Sequence, residues 1–119
     1  MNLQGSCHCG RVKLTLPGAP DRATECNCSL CRRLGARFVY YEFGSVVIEG
    51  REHEAEYIQG DRTLRKMHCR TCGVTTHWEP LDPKPGAHHG VNLRLFDPAL
   101  VAATPVRRFD GAETWTFLD

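Results

Sequence analysis

The sequence predicts a mainly β fold, and three observations carry that expectation. Apolar residues recur with a period of two in short runs, as in "RVKLTL" (Arg11–Leu16), where Val12, Leu14 and Leu16 alternate with polar neighbours. The runs are cut by Gly, Pro, Asp or Asn at spacings of about 8 to 15 residues. Helical periodicity is confined to two short stretches. A chain of 119 residues lies near the commonest size of one domain, so residues 1–119 are expected to form a single unit with a modest core.

Each element follows from its local pattern. After Arg11–Leu16 comes "SLCRRLG" (Ser29–Gly35), where a cap-like serine and a stop-like glycine bracket one or two helical turns. The run "RFVYYEF" (Arg37–Phe43) is aromatic and β-branched, which suits a pleated, half-buried surface. Strands are expected in turn at "SVVIEG", "EAEYIQG", "TLRKMHC" and "VTTHWE". The next stretch, "EPLDPKPGAHHG" (Glu79–Gly90), has three prolines and two glycines and reads as a loop long enough to be a rim or lid. "GVNLRLF" and "ETWTFL" complete the strands. "DPALVAA" (Asp97–Ala103) opens with an Asp-Pro pair suited to a first helical turn.

Composition narrows the function classes. Fifteen Lys and Arg against fourteen Asp and Glu give a net charge of +1, which supplies no general pull toward phosphate backbones or anionic lipid. No nucleic-acid partner is expected. No run approaches the roughly 20 apolar residues that span a bilayer, so no membrane partner is expected either. The start, "MNLQGSCHCG", lacks a basic stretch followed by an apolar one and reads as cytoplasmic rather than secreted. In a reducing compartment seven cysteines, an odd number, point to metal ligation before disulfides.

The cysteines form three groups: Cys7 and Cys9, then Cys26, Cys28 and Cys31, then Cys69 and Cys72. One or two intervening residues is the spacing at which a single turn aims two sulfurs at one ion. Gly10 and Gly73 directly follow the first and last groups and permit the left-handed backbone of such turns. Joining these two groups gives a saturated four-sulfur site of Cys7, Cys9, Cys69 and Cys72, expected to hold a structural Zn2+. Cys26, Cys28 and Cys31 then remain as three ligands with an open position, the pattern of catalytic zinc. A histidine closing the site, an empty site and a disulfide are the alternatives. Three thiolates weaken zinc as a Lewis acid but suit it to hold an incoming thiol as thiolate. Arg32, Arg33 and Arg37 follow closely and are candidates to offset the charge or to receive a carboxylate of the incoming molecule.

His8 and His68 adjoin ligand cysteines, and His88 and His89 sit in the predicted loop, where they are candidate fourth ligands or proton shuttles beside the solvated reading. His53 and His77 carry no motif. Phe38, Tyr40, Tyr41, Phe43, Trp78, Phe109 and Trp115 are expected mostly in the core or on sheet faces, with one or two lining a pocket.

"GSCHCGRV", "CNCSLCRRLGA", "HCRTCG" and "GVNLRLF" together resemble the glutathione-dependent formaldehyde-activating enzyme family, which includes centromere protein V-like domains. The likeness runs from about Gly5 to about Phe96 and covers all seven cysteines. It implies a β-tent of two or three small antiparallel sheets, a structural zinc on Cys7, Cys9, Cys69 and Cys72, and a labile catalytic zinc on Cys26, Cys28 and Cys31. It also implies carbon-sulfur lyase activity that joins glutathione and formaldehyde reversibly as S-hydroxymethylglutathione. Asn27 stands where histidine is frequent in that family. The competing expectation is a non-catalytic zinc-binding module for protein or nucleic-acid interaction, and the incomplete ligand set argues for the enzyme.

Overall fold

A computed structural model describes residues 2–119. The described chain is 40% strand and 14% helix, so the β reading of the sequence holds. Strands β1 (Gln4–Ser6), β2 (Lys13–Thr15) and β5 (Val47–Glu49) form a three-stranded antiparallel sheet in the order β1-β2-β5. The other eight strands are β3 (Ala23–Cys26), β4 (Phe38–Glu42), β6 (Glu54–Ile58), β7 (Leu64–Cys69), β8 (Thr75–Pro80), β9 (His88–Asn92), β10 (Val106–Asp110) and β11 (Thr116–Phe117). They make one sheet in the order β11-β10-β3-β4-β9-β8-β7-β6, antiparallel throughout except for a parallel β10–β3 pair.

Alternation sorts the large sheet into two faces. Val39 and Val91, on neighbouring strands, join Val12, Leu14 and Leu16 of the small sheet region in the main core, which also holds Leu93, Phe96 and Leu100. On the opposite face a register row runs across five strands: Tyr57, Lys66, Trp78, Gly90 and Tyr40. A Cβ at position 90 would stand 2.1 Å from the Trp78 indole nitrogen, so the glycine is the space into which that ring is laid.

Two helices punctuate the strands. Helix α1 (Cys31–Leu34) begins after Leu30 with no side-chain cap, so Ser29 does not take the capping role expected of it; Gly35 closes it at φ 66°. Helix α2 (Pro98–Ala103) starts as expected, with the Asp97 carboxylate accepting from the Ala99 N–H at 2.8 Å. The predicted loop Glu79–Gly90 is shorter than its prolines suggest, because Glu79 and Pro80 finish β8 and His88 begins β9. The predicted strand "GVNLRLF" is strand only to Asn92, and Leu93–Leu95 coil into a single 3-10 turn capped by the Asn92 side chain. Among the described residues no helix is long and apolar enough to cross a membrane.

Candidate metal centres and the adjoining cavity

The first centre is assembled by two turns of the same build. Cys7 follows β1, and the Gly10 N–H donates back to the Cys7 carbonyl at 3.1 Å; Cys69 ends β7, and the Gly73 N–H donates to the Cys69 carbonyl at 2.8 Å. Gly10 and Gly73 have φ of 82° and 80°, the left-handed region that a side chain would strain. The four sulfurs of Cys7, Cys9, Cys69 and Cys72 lie within 4.8 Å of one another, with Cys7–Cys9 and Cys9–Cys69 both at 3.6 Å. Sulfurs at about 2.3 Å from a tetrahedral ion stand about 3.8 Å apart, so the donor set fits zinc. Cys7 and Cys69 are buried in the main core while Cys9 is exposed and Cys72 half-buried, so the centre sits at the edge of the core with one side toward solvent. Burial pushes the Cys7 thiol up, whereas the Arg11 N–H and guanidinium hold exposed Cys9 down to about 6.

The second set comes from the end of β3 and the start of α1. The sulfurs of Cys26, Cys28 and Cys31 lie within 4.8 Å of one another, and among the described residues no histidine, carboxylate or fourth cysteine joins them. Backbone N–H groups aim the sulfurs: Cys28 donates to Cys26 Sγ at 3.4 Å and Cys31 donates to Cys28 Sγ at 3.3 Å. Burial, reinforced by the neighbouring sulfurs, pushes Cys31 up to about 12 and raises Cys26. Burial works against ionising Cys28 as well, but the N–H donors of Cys31 and Leu30 and the thiol of Cys31 outweigh it and lower its pKa. Three thiolates crowded without a cation repel each other, and a divalent ion removes that penalty. A soft, three-sulfur donor set with one free direction fits zinc.

That free direction opens into a cavity of about 840 Å³, within the usual span of small-molecule sites. Its lining includes Tyr57 of β6, Gln59 just after it and Lys66 of β7, and Phe109 of β10, Trp115 of the turn that follows and Phe117 of β11. These strands stand at opposite ends of the sheet order, so the sheet curls until both ends face one space. The cysteine trio sits near the β10 end. A Cβ on Gly111 would lie 2.6 Å from Cys26 Sγ, so the chain after β10 passes directly over the sulfurs.

With this geometry in view, the comparison with known proteins is decisive: residues 2–110 match the glutathione-dependent formaldehyde-activating enzyme family. The chain belongs to that family. Its fold is also that of a Rhodobacter sphaeroides protein of known crystal structure, at a TM-score of 0.70 and 31% identity, covering 87% of this chain and 98% of the other. No curated protein matches the chain significantly.

The arginines that the sequence offered to offset the charge of the open centre stand away from the cavity. Neither Arg32 nor Arg33 lines the cavity, and the Arg33 guanidinium donates to the Ser29 carbonyl at 2.7 Å. Arg37 pairs with Glu25 at 3.0 Å. The lysine that does line the cavity is Lys66, which gives no motif signal in the sequence and is found only through its register opposite Trp78. Of the aromatic residues, Phe38, Tyr40, Trp78, Phe109 and Trp115 all line the cavity, more than the one or two expected, while Tyr41 packs against the core.

The histidines go elsewhere. His88 and His89 are strand residues opposite Glu42 and Tyr41, not loop residues, and neither lines the cavity. His89 is buried beside Phe43 and His77. His77, which the sequence left without a role, anchors a buried polar cluster: it bonds Thr76 Oγ1 at 3.0 Å and Glu79 Oε1 at 2.9 Å, and Glu79 also meets Arg51 and Arg65.

Proposed function

We propose that the protein is a zinc-dependent carbon-sulfur lyase of the thiol-aldehyde type, with glutathione and formaldehyde as the family's reference pair. The observation that carries the reading is the three-sulfur set of Cys26, Cys28 and Cys31 with its open side turned to a cavity of about 840 Å³. A zinc ion bound there supplies a centre that accepts an external thiol as thiolate at neutral pH. The chain's own residues then do the remaining work.

Lys66 offsets the negative charge that three cysteine sulfurs and a fourth accumulate, and it is the first candidate to receive a carboxylate of the thiol, ahead of Arg32 and Arg33. Phe38 and Trp78 pack with the cysteine trio and give the forming bond an apolar flank. Tyr40 lines the cavity and, like any tyrosine, keeps its phenolic proton at neutral pH, which makes it the candidate donor to the aldehyde oxygen. Cys7, Cys9, Cys69 and Cys72 hold the structural ion and take no part in turnover. The partners are then a small thiol and an aldehyde, without nucleic acid or membrane, in a cytoplasm that keeps the thiols reduced.

Native mass spectrometry tests the metal content: two zinc ions per chain are expected, and one in Cys28→Ser. In the protein carrying cobalt at the second centre, glutathione should shift the visible absorption bands. A second metal whose spectrum ignores every thiol offered would overturn the proposal.

A further inference from the structure

The reaction with formaldehyde leaves one end of the cavity without a task. The β6–β7 end is polar, with Gln59, Asp61, Thr63 and Lys66, and suits the charged ends of a thiol such as glutathione. The β10–β11 end is aromatic and is built as a unit. Phe109 meets Trp115 and Phe117 edge-on, each at 5.1 Å, and the Arg107 guanidinium props the Phe117 ring at 3.8 Å.

This wall is held in place beside the sulfurs. The Asp110 carboxylate accepts from the N–H groups of Glu113 and Thr114, from the Thr114 hydroxyl and from the Asn27 amide, while the Asn27 carbonyl accepts from the Ala112 N–H at 3.0 Å. Asn27 lies between two ligand cysteines, so the hairpin is tied to the turn that presents the metal site. Trp115 stays 71% exposed although its backbone is held at φ 58°, a left-handed conformation that costs any residue with a side chain. That backbone closes the turn, its N–H donating to the Asp110 carbonyl at 2.7 Å, and it leaves the exposed indole on the cavity against Phe109. The residues from Gly111 on lie beyond the stretch matched to the family.

Formaldehyde has no substituent to touch these rings. We propose that the aldehyde handled by this chain carries an apolar substituent of aromatic size, which lies against Phe109, Trp115 and Phe117 while the thiol's polar ends face Lys66 and Asp61. The inference rests on the thiol-aldehyde reading above and names the electrophile for it. The step is a simple addition: the thiolate pair forms the S–C bond, the carbonyl π pair moves to oxygen, and that oxygen takes one proton, balancing the one the thiol lost on becoming a thiolate. Nothing is oxidised or reduced.

The test uses the protein's own reporters, because its two tryptophans, Trp78 and Trp115, both line the cavity. Intrinsic fluorescence is followed as zinc-loaded protein is titrated with S-methylglutathione and S-benzylglutathione, stable thioethers that stand for the small and the aromatic adduct. The benzyl compound is expected to bind about tenfold more tightly or better. In Trp115→Ala, and separately in Phe117→Ala, that ratio should fall to within about twofold of unity, with the circular dichroism of the wild type retained. Equal affinities in the wild type, or a preference that survives both substitutions, would overturn the inference. If the cobalt bands respond to glutathione while the thioethers bind alike, only the aldehyde assignment falls. If the bands are also silent, the lyase reading falls with it.

Discussion

Gly90, His89 and Glu79 carry consequences that no neighbour in sequence announces. Placing alanine at Gly90 drives a methyl into the Trp78 indole, so Gly90→Ala should cost about 1–3 kcal/mol and shift the tryptophan emission. A melt indistinguishable from wild type would show the ring is not seated there. Burial, together with the charge of nearby His77 and Arg51, pushes the His89 pKa down to about 4. Its folded value then lies below its unfolded one, so it costs nothing above about pH 6.5. As pH falls toward 4 the unfolded chain takes the proton first, removing up to about 3 kcal/mol of stability. Glu79 runs in a lower window. Burial opposes its charge, but bonds from His77 and Arg51 win and hold it at about 2, so its contribution is present above about pH 4.5 and lost as pH falls toward 2. A pH titration of the His89 ring by nuclear magnetic resonance checks the first statement; a midpoint near 6.5 would contradict it.

Among the elements, the C-terminal hairpin of β10 and β11 is the one whose position depends most on a few polar bonds. Asn27 supplies two of them, to Asp110 at 3.1 Å and from Ala112 at 3.0 Å. Asn27→Ala should therefore speed amide hydrogen exchange in residues 111–117 by about tenfold, as expected for losing one or two hydrogen bonds, and leave the count of zinc ions per chain unchanged. Unaltered exchange there would mean the strand pairing alone holds the hairpin. The parallel pair that β10 makes with β3 explains why neither strand stands out in the sequence. "ATEC" and "VRRFD" are short, one ends in a metal ligand and the other sets two arginines side by side, and their pairing joins residues some 80 positions apart. β1 is hidden for a related reason, since its three residues, Gln4, Gly5 and Ser6, carry no apolar alternation.

At the scale of the whole molecule, the two candidate metal centres are expected to carry unequal weight. The four-sulfur site joins the turn after β1 to the turn after β7 at the edge of the core, so it closes a loop of about 60 residues. Zinc bound to such a set contributes on the order of 10 kcal/mol, comparable with the whole stability of a small domain. Cys69→Ser should therefore fail to give a cooperative melt, whereas Cys28→Ser should keep one. Mild chelation should strip one zinc ion and leave the circular dichroism intact. Loss of fold on removing the first ion released would reverse the assignment of the two sites.

The sequence by itself determined what depends on spacing within a single turn: both cysteine sets, the glycines that close the knuckles, most of the strands, the two helices and the family. Turn chemistry is local, and seven cysteines in three groups leave few ways to satisfy a four-ligand ion. Only the tertiary structure decided what faces the open site, because that is fixed by how strands far apart in the chain curl together. It brought Lys66 and Trp78 from one end of the sheet and Trp115 and Phe117 from the other onto one cavity, and it turned His89 away into a buried cluster. A period of two tells which residues share a face of one strand; it does not tell which distant strand that face will meet.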